Sequence, residues 1–413
     1  LTGGNRAQWQ NGSNGILMPL RLLCAAALLL VSCTSKDRAP APRTVAAASL
    51  LPGMPPVLEP FDIYSETRAG KLAAAVRQYP PRVYVPNSGS NTVTVIDPQA
   101  FRIVDTLKVG RQPQHVTPSY DLKTLWVLND LGDSLSEIDP ATGRLGKTVR
   151  VLDPYNMYYS PDGKYAIVVA ERLKRLDLYD AATMKFQRSV AVPCRGVDHM
   201  DFSADGRYLL ASCEFSGEMV KVETANMTVA GKLKLPLEGG AQRGHTARMH
   251  HGGGRMPVEA DRMPQDVKTS PDGKLFYVAD MMADGVHVID SEKFVRVKFI
   301  PTGRGAHGLY ASRDSKALYC SNRDEGTVSV IDFAQQKVVR TWSIPGGGSP
   351  DMGGVSADGR TLWLSGRYHH EVYAFDTTDG HLLARIKTGR GPHGLCVFPQ
   401  PGRYSLGHTG VFR

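Results

Sequence analysis

Four of the twelve histidines share one place in a repeating pattern. His115 and His199 lie four residues before a serine that opens a turn, and His307 lies five before another. His393 lies five before Phe398, which occupies the serine's place in the last repeat. Asp198, Asp266 and Asp351 fall at the same two offsets. Imidazole with carboxylate is an ordinary mixed shell for a transition metal. The same groups can exchange protons near neutral pH. Polar groups at such positions can equally cap strand ends and hydrogen-bond water. No HxH or HExxH pair sets ligand spacing, so a metal site would have to be assembled by folding. Its candidates are His199, His307 and Asp266, with His250 from an insertion.

The repeat that positions these residues is marked by Ser119, Ser160, Ser203, Ser270, Ser312 and Ser356, spaced 41, 43, 67, 42 and 44 residues apart. Ser270-Pro271-Asp272-Gly273 shows the turn chemistry, with Pro fixing φ and Asp-Gly accepting left-handed geometry. Each unit carries four strand signals: A before the turn, then B, C and D, as in Val-Lys-Thr, Leu-Phe-Tyr-Val-Ala-Asp, Val-His-Val-Ile-Asp and Arg-Val-Lys-Phe-Ile around Ser270. A period in the low forties with four strands per unit predicts an all-β fold, a β-propeller of four-stranded antiparallel blades. The long gap contains an insertion over residues 238–262. The last unit has only strand A. Its B, C and D are expected from Arg82–Pro86, Thr92–Ile96 and Ile103–Val109. The N- and C-terminal strands then close a seventh blade, leaving no free sheet edge and favouring a monomer.

Strand direction alternates, so D–A and B–C connections share one face and the Ser-containing A–B turns the other. The ring residues Gln114, Tyr155, Asp198, Gln265, His307, Asp351 and His393, then His115, Asn156, His199 and Asp266, belong at the mouth of the central channel on the D–A/B–C face. B–C loops add Arg172, Glu214, Arg323, Arg367 and His369 there. Arginine offers a fork to carboxylate or phosphate. A small-molecule ligand or a protein partner is therefore expected at this face. The insertion emerges on it too. Its His245, His250, His251 and three consecutive glycines suit either a lid or a spacer.

Arg82-Val-Tyr-Val-Pro-Asn87, Leu275-Phe-Tyr-Val-Ala-Asp280 and the Ser-Pro-Asp-Gly turns resemble the YVTN-repeat family over residues 82–398. The resemblance implies a bacterial or archaeal seven-bladed propeller, often exported. Related propellers bind haem, serve quinoprotein dehydrogenases or act as lactonases, so a metal-assisted hydrolase or a tetrapyrrole or redox-cofactor protein stands as the alternative to a binding scaffold. Fold alone does not choose the cofactor or the reaction. The departures are the insertion and strands without the strict Tyr-Val-Thr-Asn tetrad.

From Met18, one arginine precedes the ten-residue apolar run Leu22–Val31, too short to span a bilayer but suited to a signal peptide. Leu30-Val31-Ser32-Cys33 resembles the lipobox of bacterial lipoproteins, which implies lipidation at Cys33 and an extracytoplasmic, membrane-anchored protein. A plain signal peptide is the other reading. Residues 1–33 are thus expected to be extension and signal, and 34–80 a linker with a short helix within Asp62–Gln78, best at Lys71–Val76. The propeller is expected over 81–413. The net charge of +9 falls to +7 without Arg6 and Arg21, and no basic run marks a nucleic-acid partner. Of the remaining cysteines, Cys194 and Cys213 are the candidate disulfide pair, with buried free thiols the alternative. No CxxCH haem motif, phosphate loop or dinucleotide fingerprint occurs.

Overall fold

A computed structural model describes residues 50–238, 261–408 and 411–413. They form seven four-stranded antiparallel sheets, each in the order A-B-C-D from the centre outward. The closing sheet joins Cys396–Phe398 to Arg82–Asn87, Thr92–Asp97 and Arg102–Lys108, so the ring is sealed as its strand signals predict. The inner strands are Pro113–Pro118, Asn156–Tyr159, Val197–Phe202, Pro264–Thr269, Ala306–Ala311, Pro350–Val355 and Cys396–Phe398. Successive inner strands touch around a closed circle.

Apolar packing lies between blades. Tyr158, Ile167 and Leu176 meet Met200, Leu209 and Val220 across one junction. Tyr277 and Val288 meet Leu309 and Leu318 across another. A and B strands are covered on both faces and read as continuous burial. Outer strand Thr228–Lys234 alternates instead, with one side in water. The marker serine has a structural reason. Its hydroxyl donates to the Asp two residues on, at 2.7 Å for Ser270–Asp272, and accepts from the N–H five residues on, at 3.0 Å for Leu275. The same pair of bonds recurs at Ser119, Ser160, Ser203, Ser312 and Ser356.

The segment before the first blade departs from expectation. Asp62–Gln78 forms no α-helix; it holds one 3-10 turn, Ser65–Thr67, and Leu72 bridges to Gly402. From Leu51 onward it is laid on the A–B turn face rather than forming a free linker. The Leu51 N–H donates to the Asp205 carbonyl and that of Ile63 to Pro271, while Tyr64 and Val76 are buried. Tertiary burial of these apolar residues outweighs the weak preference of an Ala-rich run for helix. Residues 399–408 cross the same face and pair with 411–413, with Arg403 and Leu406 donating to the carbonyls of Arg413 and Val411. The expected signal, Cys33 and the body of the insertion, His250 included, lie outside the described residues.

Cys194 and Cys213 are disulfide-bonded, which decides between the two readings of that pair; Cys320 and Cys396 are buried thiols. One outer ion cluster gives a pH test. Glu371, fully covered, accepts from Arg385 at 2.9 and 2.6 Å, Lys387 at 2.9 Å and Tyr373 at 2.8 Å. Burial alone would raise its carboxyl, yet these donors bring it down to about 2. The folded value lies below the unfolded one near 4.5, so the stability it contributes is full above pH 4.5 and is lost as pH falls through 2. Lys387 is largely in water, which limits the contribution. Glu371→Gln should therefore be less stable by about 1–2 kcal/mol at pH 7. In a pH series of urea unfolding, the gap from wild type should close between pH 4.5 and 2. A gap that does not change with pH would refute it.

Candidate functional site

A β-bulge aims the ring residues inward. In four blades, two residues of strand A face one of strand B: Asp198 and His199 against Ser212, Gln265 and Asp266 against Ala279, His307 and Gly308 against Ser321, Asp351 and Met352 against Ser365. In the first blade Gln114 is the extra residue. Ordinary strand alternation would turn one residue of each pair away; the bulge re-aims it. Strand B serines complete the device by accepting from the bulged N–H groups, His199 to Ser212 at 3.1 Å and Gly308 to Ser321 at 2.8 Å. Those serines sit nine residues after the turn serine, a regularity visible in the sequence.

The ring imidazoles of His115, His199, His307 and His393 are brought together, and the segment 403–408, paired with 411–413, adds His408. Its main chain pairs with inner strand Asn156–Tyr159: Tyr159 N–H donates to Leu406 and His408 N–H to Met157. Ring centroids are 4.6 Å apart for His199–His408, 4.9 Å for His115–His408, 4.8 Å for His115–His393 and 5.7 Å for His115–His199. Gly394 leaves the room this needs, since a Cβ there would collide with the His115 ring. Burial, then neighbouring positive groups, keeps these imidazoles neutral. His199 is lowered to about 3, by burial first and then Lys268 and Arg323. His115, His307, His393 and His408 are likewise well below their usual value.

The acids move the other way. Burial, then Glu214 and Asp266, raises Asp198. Burial also raises Asp266 to about 6 and Glu214 to about 7. Glu171 joins Asp198 and Glu214 in one carboxyl group at the mouth. Asp266 accepts from the N–H groups of Val267 and Leu309, both at 2.9 Å, and so ties two blades together. Lys268 is buried beneath it.

His307, Asp351 and His393 form a second group, and hydrogen bonding settles its protons. Arg323 can only donate. It donates to Asp351 Oδ1, at 3.0 Å from Nε, and contacts His307 Nε2 through Nη2. His307 Nε2 is therefore the acceptor, which puts the ring proton on Nδ1, 3.1 Å from Asp351 Oδ1. Arg367 stands 3.9 Å from the other Asp351 oxygen.

At the rim, loops of the first, sixth and closing blades enclose a cavity of about 420 Å³. Arg111, Arg367, Arg390, Tyr368 and His370 line it, and among the described residues no carboxylate does. Arg111 and Arg390 are each held by one edge, donating to the carbonyls of Leu131 and Gly89. Arg367 is 7% exposed, and among the described residues its Nη1 has no hydrogen-bond partner, with Asp351 Oδ2 at 3.9 Å.

The other expected residues fall elsewhere on this face. Arg172 pairs with Asp153 at 2.6 Å, and Glu214 accepts from Gln265 at 2.9 Å. His369 faces Ser349 at 2.9 Å. Reading the repeat alone missed His408, Lys268, Glu171, Arg111, Arg390 and His370. For the two arginines a signal exists: Gly110-Arg111 and Gly389-Arg390 recur with Gly303-Arg304 just ahead of strand A.

Known proteins resemble the chain at the level of this architecture. The YncE-like β-propeller description matches residues 38–237 and 255–403. The Salmonella typhi protein named "Uncharacterized protein YncE" is 22% identical over 290 residues, covering 65% of this chain and 73% of its own length. A functionally unknown protein from Desulfotomaculum acetoxidans superposes with a TM-score of 0.57 at 15% identity, covering 76% of this chain and 98% of its own. Kuenenia stuttgartiensis hydrazine synthase gives 0.53 at 19% identity, over 68% and 87%. At such identities the likeness to the solved structures is one of fold. With the family description spanning most of its length, the chain belongs to the YncE-like β-propeller family.

Proposed function

We propose that this chain is an extracytoplasmic binding propeller, tethered through lipid on Cys33, that takes a small anionic ligand on its D–A/B–C face. The observation that carries the reading is that three guanidinium groups, of Arg111, Arg367 and Arg390, line one cavity, with Asp351 at 3.9 Å from Arg367 Nη1 as the single ion-pair contact that Arg367 makes among the described residues. Three guanidinium groups, with no carboxylate among the described lining residues, favour a carboxylate or phosphate, which each can meet with paired N–H donors. His370 Nδ1 accepts from Gly391 N–H, so the neutral ring keeps its proton on Nε2 as a further donor. The Cys194–Cys213 bridge supports an oxidising compartment.

Calorimetric titration with inorganic phosphate, succinate and citrate at low ionic strength tests the ligand. Arg367→Gln should weaken the best-bound anion by about 10-fold or more, the loss of one charge-assisted pair. Binding of none of these anions, or unchanged binding by the variant, would defeat the reading. Cys33→Ala should move the protein from the membrane to the soluble extracytoplasmic fraction; unchanged fractionation would remove the anchor.

A further inference from the structure

We propose that the central channel binds one late first-row transition-metal ion, of the zinc, cobalt or copper class, through His115, His199, Asp266 and His408, the last supplied by the hairpin after the final blade. This stands apart from the rim pocket and does not need it.

Donor atoms of His199, Asp266 and His408 lie within 4.8 Å of one another, and all three residues are buried. The Asn156 amide shows where their lone pairs point. Its Oδ1 accepts from Met157 N–H at 2.9 Å, which fixes the amide orientation. Its Nδ2 then faces Nδ1 of both His199 and His408, at 3.1 and 3.2 Å. An amide nitrogen only donates, so both Nδ1 atoms are acceptors aimed at one electropositive centre. A metal ion takes that centre when the Asn156 side chain turns aside. His115 stands beside this trio rather than within it, its ring 4.9 Å from that of His408 and 5.7 Å from that of His199, and it is assigned as the fourth donor because both of its ring nitrogens are buried with no hydrogen bond among the described residues, which native interiors rarely leave so.

Ring spacing fits a single ion. With metal–nitrogen bonds of about 2.0–2.1 Å and ring centroids about 1.1 Å further out, tetrahedral imidazoles stand about 5.2 Å apart. The three separations among His115, His199 and His408 run from 4.6 to 5.7 Å and bracket that value. The second cluster, His307, Asp351 and His393, is the weaker choice, because Arg323 already occupies His307 Nε2 and Asp351. Among the charged groups facing Asp266, Lys268 favours its carboxylate, while Asp201 and Asp198 oppose it. His–carboxylate donors without thiolate suit zinc, cobalt or copper better than calcium or magnesium.

Chelator-dialysed full-length protein is titrated with zinc chloride and, separately, cobalt chloride. Elemental analysis after desalting should give one zinc per chain, and cobalt should develop the visible absorption of a low-symmetry nitrogen–oxygen site. His408→Gln and His115→Gln should each weaken zinc by about 100-fold, the upper end of what even outer-shell changes cost a metal site. The triple variant His245→Gln/His250→Gln/His251→Gln should bind as wild type. Folded wild type that retains no zinc overturns the proposal. So does wild-type affinity in either single variant, or a loss confined to the triple variant. Should His408→Gln fail to fold, His115→Gln decides, since among the described residues the His115 ring makes no hydrogen bond that folding would miss.

Discussion

Arg413→Met should destabilise the protein by about 3 kcal/mol, because it strips the countercharge from a buried carboxylate. Arg413 is nearly inaccessible; its Nη2 lies 3.2 Å from Asp201 Oδ1, and its guanidinium stacks 5.1 Å from the Tyr64 ring. Asp201 has no exposure at all and spans two blades, accepting from Phe202 N–H at 2.7 Å and Thr269 N–H at 2.9 Å. Those two backbone donors persist in the variant, which holds the cost at the low end of the range for a broken buried pair. The measurement is a double-mutant cycle with Asp201→Asn by urea unfolding. Coupling above about 1 kcal/mol is expected for groups in direct contact. Additive losses would mean that Arg413 acts only by packing. Since Arg413 anchors the hairpin that carries His408, the variant should also become sensitive to protease after Phe398.

The blades were legible because two periodicities agree: alternation within strands, and a turn serine every forty-odd residues whose hydroxyl has a fixed pair of partners. Closure of the seventh blade followed from counting strands. The ring of candidate residues was legible as an offset from that serine, although alternation alone predicts that only one of His199 and Asp198 faces inward. The bulge that turns both in leaves its trace in the strand B serines Ser212, Ser321 and Ser365, which answer the freed N–H groups. Residues 50–80 and 399–408 carry no repeat, so nothing in their sequence says they cover the A–B face. Ala73–Ala75 reads as helix by propensity, yet Leu72 and Val76 gain more by burial. His408 was hidden for the same reason: its place depends on a hairpin whose docking is tertiary. The rim arginines sit in loops, where pattern says little and only the recurring Gly-Arg pair gives them away.

Loss of the Cys194–Cys213 bond should cost about 3 kcal/mol of stability while leaving the channel mouth largely in place. The bond spans 19 residues of sequence, and closing a loop of that size in the unfolded chain removes entropy worth about 3 kcal/mol at 25 °C. It joins the stretch leading into inner strand Val197–Phe202 to the end of strand Tyr208–Cys213. Asp198 and His199 follow one cysteine closely, and Glu214 adjoins the other, so the cross-link clamps both sides of the bulge that presents them. Backbone bonds clamp it too, from Glu214 to Gly196 and Phe215 to Arg195. The folded structure should therefore survive reduction with its ring largely in place, and the change should appear mainly as lost stability. Urea unfolding with and without dithiothreitol measures it. Wild type should lose its margin on reduction, and Cys194→Ser/Cys213→Ser should be equally weak in both conditions. Cys320 and Cys396, both buried, should not react with thiol reagents until the protein unfolds. A wild type indifferent to reductant, with Cys194 and Cys213 titrating as thiols once it is unfolded without reductant, would mean that the two sulfurs do not bond in solution.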